Sequence, residues 1–110
     1  MSLERALAQR AKEREALIQM ARRYAERVRA RLKEARVFLY GSVARGDFNL
    51  ESDLDLLVVA PSLPKDPLER ARLLFALREG PEEPKGLLPE EFALLEAQGK
   101  LWFLEGALEL

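Results

Sequence analysis

Asp53 and Asp55 flank a single leucine in the stretch SDLDLLVVA. On a β-strand alternate side chains share a face, so both acids project to one side with Cα atoms about 6.6 Å apart. Two anions held side by side at the edge of a core repel each other and resist losing water. A hard divalent cation relieves both problems, since Mg²⁺ takes octahedral oxygen ligands, commonly one or two carboxylates together with the phosphate oxygens of a substrate. Leu54, Leu56 and Val58 would face the other way and anchor the strand. Upstream, Gly41 and Ser42 directly follow the run VFLY. A residue without a side chain lets another group approach the backbone there, and a hydroxyl and amides can meet a phosphate. Arg45 follows one helical turn later and would add a positive charge to the same anion. Amides, a hydroxyl, a cation and paired carboxylates are the parts of a metal-assisted phosphoryl- or nucleotidyl-transfer site. A lone D-x-D is commonplace as solvated acids and a lone Gly-Ser as a turn, but the two in order, ten residues apart and bracketed by strands, are specific.

Composition removes most alternatives. The 110 residues include no Cys and no His, which excludes disulfides, thiolate zinc sites, a cysteine nucleophile and any imidazole-based centre built from this chain. Any metal must be held by oxygen. The length suits one domain. No apolar run approaches the roughly 20 residues of a membrane span, and MSLERALAQRAKERE is charged and amphipathic rather than signal-like. A cytoplasmic protein without membrane contact is expected. The net charge of −1 argues against direct nucleic-acid binding, yet it is unevenly spread: residues 1–36 hold 11 basic and 5 acidic side chains, residues 37–110 hold 7 and 14. The basic stretch reads either as a solvated helix face or as a docking face for an acidic partner or phosphate.

The elements that must position these groups follow from periodicity. Leu17, Met20, Ala21, Tyr24, Val28 and Leu32 recur at steps of three and four, which predicts a helix over about 3–34 with Ser2 as N-cap and a first part that projects from the core. VFLY and DLDLLVVA read as strands, and the stretch between them as a loop with one helical turn after Gly41. Asp66-Pro67 opens a helix that runs to Gly80; a short edge strand is expected over Glu83–Leu88, and Pro89 opens a helix to about Gln98. LWFLEGALEL reads as a further short helix over about 100–108, behind a catalytic core of about 37–98.

The pattern Gly41-Ser42, ten residues, Asp53-x-Asp55, together with Ala44-Arg45-Gly46 and Ser52, resembles the minimal nucleotidyltransferases of the DNA polymerase beta superfamily. The resemblance implies an α+β single domain, α-β-α-β-α-β, with a small mixed sheet flanked by helices. It implies transfer of a nucleoside monophosphate, AMP from ATP, onto a hydroxyl, with Asp53 and Asp55 holding Mg²⁺ or Mn²⁺ and Gly41, Ser42 and Arg45 binding the triphosphate. A third carboxylate on the next strand would join them as metal ligand or base; EPKGLLPEEF resembles the family segment that carries it, which points to Glu83, with Glu82 as the alternative. Small members of this kind resemble antitoxins paired with an all-helical HEPN-domain ribonuclease, on a tyrosine of which they place AMP. The basic first helix and the apolar tail Leu101–Leu104 would then form the contact, in a homo- or hetero-oligomer. A non-catalytic binding scaffold and a transferase acting on a small, aminoglycoside-like molecule are the alternatives.

Overall fold

The computed structural model describes residues 2–49 and 51–110. Helix α1 (Leu3–Arg31) begins where the Ser2 hydroxyl accepts the Arg5 amide, as its N-cap position predicts. Its buried stripe is Ile18, Ala21, Tyr24, Ala25 and Val28, while residues 2–12 are exposed. This unburied first third gives the molecule a long axis of 51 Å against 30 and 21 Å across. The helix stops three residues before the expected end. Leu32 is already extended and Glu34 has a positive φ of 60°, a turn that carries Leu32 and Ala35 into the core and the chain into strand β1 (Arg36–Tyr40).

Strand β1 pairs antiparallel with β2 (Leu54–Val59) and with β4 (Leu108–Glu109), and β2 pairs parallel with β3 (Glu82–Leu87), making a mixed sheet of order β3-β2-β1-β4. Val37, Leu39, Leu54, Leu56 and Val58 face α1 and α3 (Pro67–Ala76) and form the main core. Phe38, Tyr40, Leu57 and Val59 face the other way and are covered from α4 (Pro89–Ala97) and the turn after it: Phe92 stacks on Phe38 with ring centres 5.8 Å apart, and Phe103 tilts against Tyr40 at 5.2 Å. The edge position of β3 explains how it tolerates Pro84, whose missing N–H removes a donor from a strand paired on one side.

Two expected helices are corrected. Helix α3 opens at the Asp66 cap and Pro67 as predicted but ends at Ala76, short of Gly80. Beyond it the Glu82 carboxylate accepts the Glu79 and Gly80 amides at 2.9 and 3.1 Å, and the Arg27 guanidinium donates to the Leu77 carbonyl at 2.8 Å, so the chain is drawn out of the helix into β3. The chain terminus is not a helix over 100–108. It is one 3₁₀ turn (Trp102–Leu104), a glycine at φ 79° (Gly106) and a two-residue strand β4 (Leu108–Glu109) on the free edge of β1. The Arg36 guanidinium forks onto the Glu109 carboxylate at 2.9 and 3.0 Å, and the Leu110 amide donates to the Val37 carbonyl, fixing that edge.

Candidate functional site

The site lies where β1 turns into a short helix, α2 (Gly41–Arg45). Gly41 has φ 79°, the left-handed region that favours glycine. A methyl group on its Cα would overlap the carboxylate of Asp55, so the glycine leaves the space that this carboxylate fills. The two halves of the sequence pattern therefore meet in contact. Asp55 is the second residue of β2 and pairs in register with Tyr40 on one side and Glu83 on the other, which puts Tyr40, Asp55 and Glu83 on one face of three adjacent strands. Asp53 immediately precedes β2, exposed, and Asp55 is half-buried.

The electrostatics follow from this placement. Burial pushes the Asp55 carboxyl above its ordinary range, and Asp53 and Glu83 push it further, while Lys85 and Arg45 pull it down. Partial burial and the nearby Asp55 carboxylate also raise the Tyr40 phenol. Three carboxylates thus share a face on which like charge is incompletely offset. The donor set, oxygen throughout, fits a hard dication. Among the described residues no three acidic side chains already converge around one point, so bringing them onto a single ion takes side-chain rotation.

The structure separates Glu83 from its neighbour. Glu82 lies on the opposite face, 1% exposed, accepting two backbone amides and 3.7 Å from the Arg27 guanidinium. It is a structural acid that ends α3. Replacing it by alanine is expected to cost about 2–4 kcal/mol in urea denaturation, because two partly buried amides lose their acceptor and the nearby Arg27 guanidinium loses a buried counter-charge, while leaving the Asp55 face unchanged. Glu83 is half-buried, with the Arg78 guanidinium at 4.0 Å.

Arg45 is exposed, and its guanidinium stands 3.5 Å from Asp47, also exposed. Sequence reading missed three contributors. Lys85 lies two residues past Glu83 on the same face, and the alternation of β3 was the signal for it. Arg14 and Arg10 have no local signal. From the projecting part of α1, Arg14 donates to the Val43 and Ala44 carbonyls at 2.9 and 2.8 Å, and Arg10 to the Gly46 and Phe48 carbonyls. These carbonyls belong to the last turn of α2 and the chain just beyond it, so two guanidinium groups clamp the short helix from behind. Arg14→Ala is expected to lower stability by about 1–3 kcal/mol and to speed hydrogen exchange of the amides that follow Ser42. Arg14→Lys should recover part of the loss, lacking the rigid fork. Unchanged exchange would mean that the sheet alone holds α2.

No helix of the described residues is long and apolar enough to cross a membrane. No curated protein matches the chain. A crystal structure of a candidate nucleotidyltransferase from Sulfolobus solfataricus has the same fold, with a TM-score of 0.67 over 77% of this chain and 78% of that one at 22% identity. The family model described as a nucleotidyltransferase domain matches residues 21–109. That match runs from the buried half of α1 through β4 and takes in both sides of the Gly41–Asp55 contact; the chain belongs to the nucleotidyltransferase domain family, whose general chemistry is nucleotidyl transfer.

Proposed function

We propose that the protein transfers AMP from ATP, in the presence of Mg²⁺ or Mn²⁺, to a hydroxyl acceptor, and that this acceptor is a tyrosine of a partner protein of the HEPN type, which the modification silences. The observation that carries the reading is the seating of the Asp55 carboxylate against Gly41. It joins Ser42 and the start of α2 to a face of carboxylates, in a chain whose family performs nucleotidyl transfer. Asp53, Asp55 and Glu83 would hold the dication, which when bound supplies charge neutralisation for the triphosphate and the leaving pyrophosphate.

The chain's own residues do the rest. The Ser42 hydroxyl and the amides of residues 41 and 42 orient the triphosphate, and Arg45 lowers the charge on it. The acceptor oxygen forms its bond to the α-phosphorus as the bond to the bridging oxygen breaks, and the Glu83 carboxylate takes the proton that the hydroxyl gives up. The carboxylate face is open to solvent, with Asp53 exposed, so a partner can present its hydroxyl directly. The excess of basic side chains in residues 1–36 suits an acidic docking surface in a cytoplasmic hetero-oligomer.

Incubation with Mg²⁺ and ATP labelled at the α-phosphate, with and without a candidate partner, tests this. The expected result is label on a partner tyrosine and none from ATP labelled at the γ-phosphate. Label on small hydroxylated molecules instead, or transfer that survives the double substitution Asp53→Asn, Asp55→Asn, would overturn it.

A further inference from the structure

The proposed reaction leaves unexplained the most exposed large apolar side chain of the described residues. Trp102 is 77% exposed, at the start of the 3₁₀ turn. It is firmly mounted. The turn is closed by amides of Leu104 and Glu105 on the carbonyls of Leu101 and Trp102, at 3.0 and 3.1 Å. The Phe103 ring meets the indole edge-on at 6.1 Å and packs against Tyr40 at 5.2 Å, and Tyr40 is the cross-strand neighbour of Asp55. An aromatic tier therefore leads from the carboxylate face out to the indole. Five of the seven other aromatic rings are capped by guanidinium groups, Phe48 by Arg10, Tyr24 by Arg27, Phe38 and Phe92 by Arg36, and Phe75 by Arg78, and the remaining two, Tyr40 and Phe103, pack on each other. Among the described residues no cation lies over Trp102.

Beside the indole is a groove of about 410 Å³ lined by Arg45, Trp102, Phe103, Glu105 and Gly106, within the about 300–1,000 Å³ of small-molecule sites. One wall is aromatic. Arg45 ends α2, the helix whose first turn carries Ser42, so one short element links this groove to the residues proposed to hold the triphosphate. Glu105 is exposed and offers carboxylate oxygens at the rim. A flat heteroaromatic ring that bears an anion at one end and an exocyclic amino group on its edge matches these features: ring on indole, anion toward Arg45, amino group to Glu105.

We infer that Trp102 is the platform on which the base of the nucleotide stacks, and that this groove, with Glu105 at its edge, selects an amino-bearing purine. The inference rests on the proposed nucleotide reaction, and its test separates the two. Trp102 is the chain's one tryptophan, so its emission reports the groove directly. With Mg²⁺ present, ATP is expected to quench that emission and inorganic tripolyphosphate to leave it unchanged, although calorimetry detects binding of both. Trp102→Leu should weaken ATP binding on the order of 10- to 100-fold, the range of base–aromatic stacking, without changing tripolyphosphate binding; Trp102→Phe should restore most of the affinity.

ATP binding that leaves the emission and the Trp102→Leu affinity unchanged would overturn the stacking site while leaving nucleotide binding intact. If calorimetry finds that neither ligand binds, the nucleotide reading falls and the base site with it. Emission that changes with protein dilution alone, whether or not ATP is present, would assign the groove to a second copy of the chain and overturn the inference.

Discussion

Gly41→Ala should lower nucleotidyl transfer by about 100-fold and cost about 2–5 kcal/mol of stability, combining a left-handed backbone with overpacking against a carboxylate. The new methyl group occupies the place of the Asp55 side chain, whose carboxylate must move or the β1–α2 junction must open. Either movement separates the two halves of the site, and displacements on the order of 1 Å cost about 100-fold in rate. Gly46→Ala is the matching control. Gly46 also has positive φ, at 91°, but nothing lies within 4 Å of the position its methyl group would take. That variant should lose about 1–2 kcal/mol through backbone strain alone and keep most of its transfer activity. Equal loss of activity in both variants would show that the Asp55 contact is not what makes Gly41 necessary.

Asp55→Asn should lower transfer by at least about 10³-fold, equivalent to about 4 kcal/mol, and at the same time stabilise the metal-free fold at neutral pH. The sign follows from the raised carboxyl of Asp55. Because the folded form holds the Asp55 proton to higher pH than the unfolded chain does, ionisation costs the folded state more. This penalty is absent below the ordinary carboxylate range and grows as pH rises through the folded-state value. With chelator present, the urea midpoint of Asp55→Asn should therefore exceed that of the unaltered protein at pH 7, and the gap should close toward pH 3. Added Mg²⁺ should raise the midpoint of the unaltered protein and narrow the gap, since the ion binds the folded carboxylates. A variant that is less stable than the parent at neutral pH without metal would contradict the electrostatic account of this face.

The placement of the candidate residues on their elements was legible because it is local. Gly41-Ser42 sits at a strand end, Asp53-x-Asp55 at a strand start, and the alternation of β2 dictates which side chains face the core. The resemblance of EPKGLLPEEF pointed to Glu83, and the pairing of β3 with β2 places that residue opposite Asp55 while Glu82 is buried on the other face. The unread parts depend on partners distant in the chain. ALEL is too short to distinguish a period of two from one of 3.6, and the free edge of β1, some 70 residues earlier, settles it as a strand. The end of α3 is set by a carboxylate that follows it in β3 and a guanidinium from α1. The four hydrogen bonds from Arg10 and Arg14 span 29 to 38 residues, and no window of sequence reveals them.

Those two arginines lie ahead of residue 21, where the family match begins. The β1–α2 junction is thus tied down from a segment that precedes the family match, so trimming residues 2–16 would leave the sheet and its acids whole but untie the backbone beside them. Any contact that displaces this protruding rod would loosen the backbone next to the Gly41–Asp55 contact.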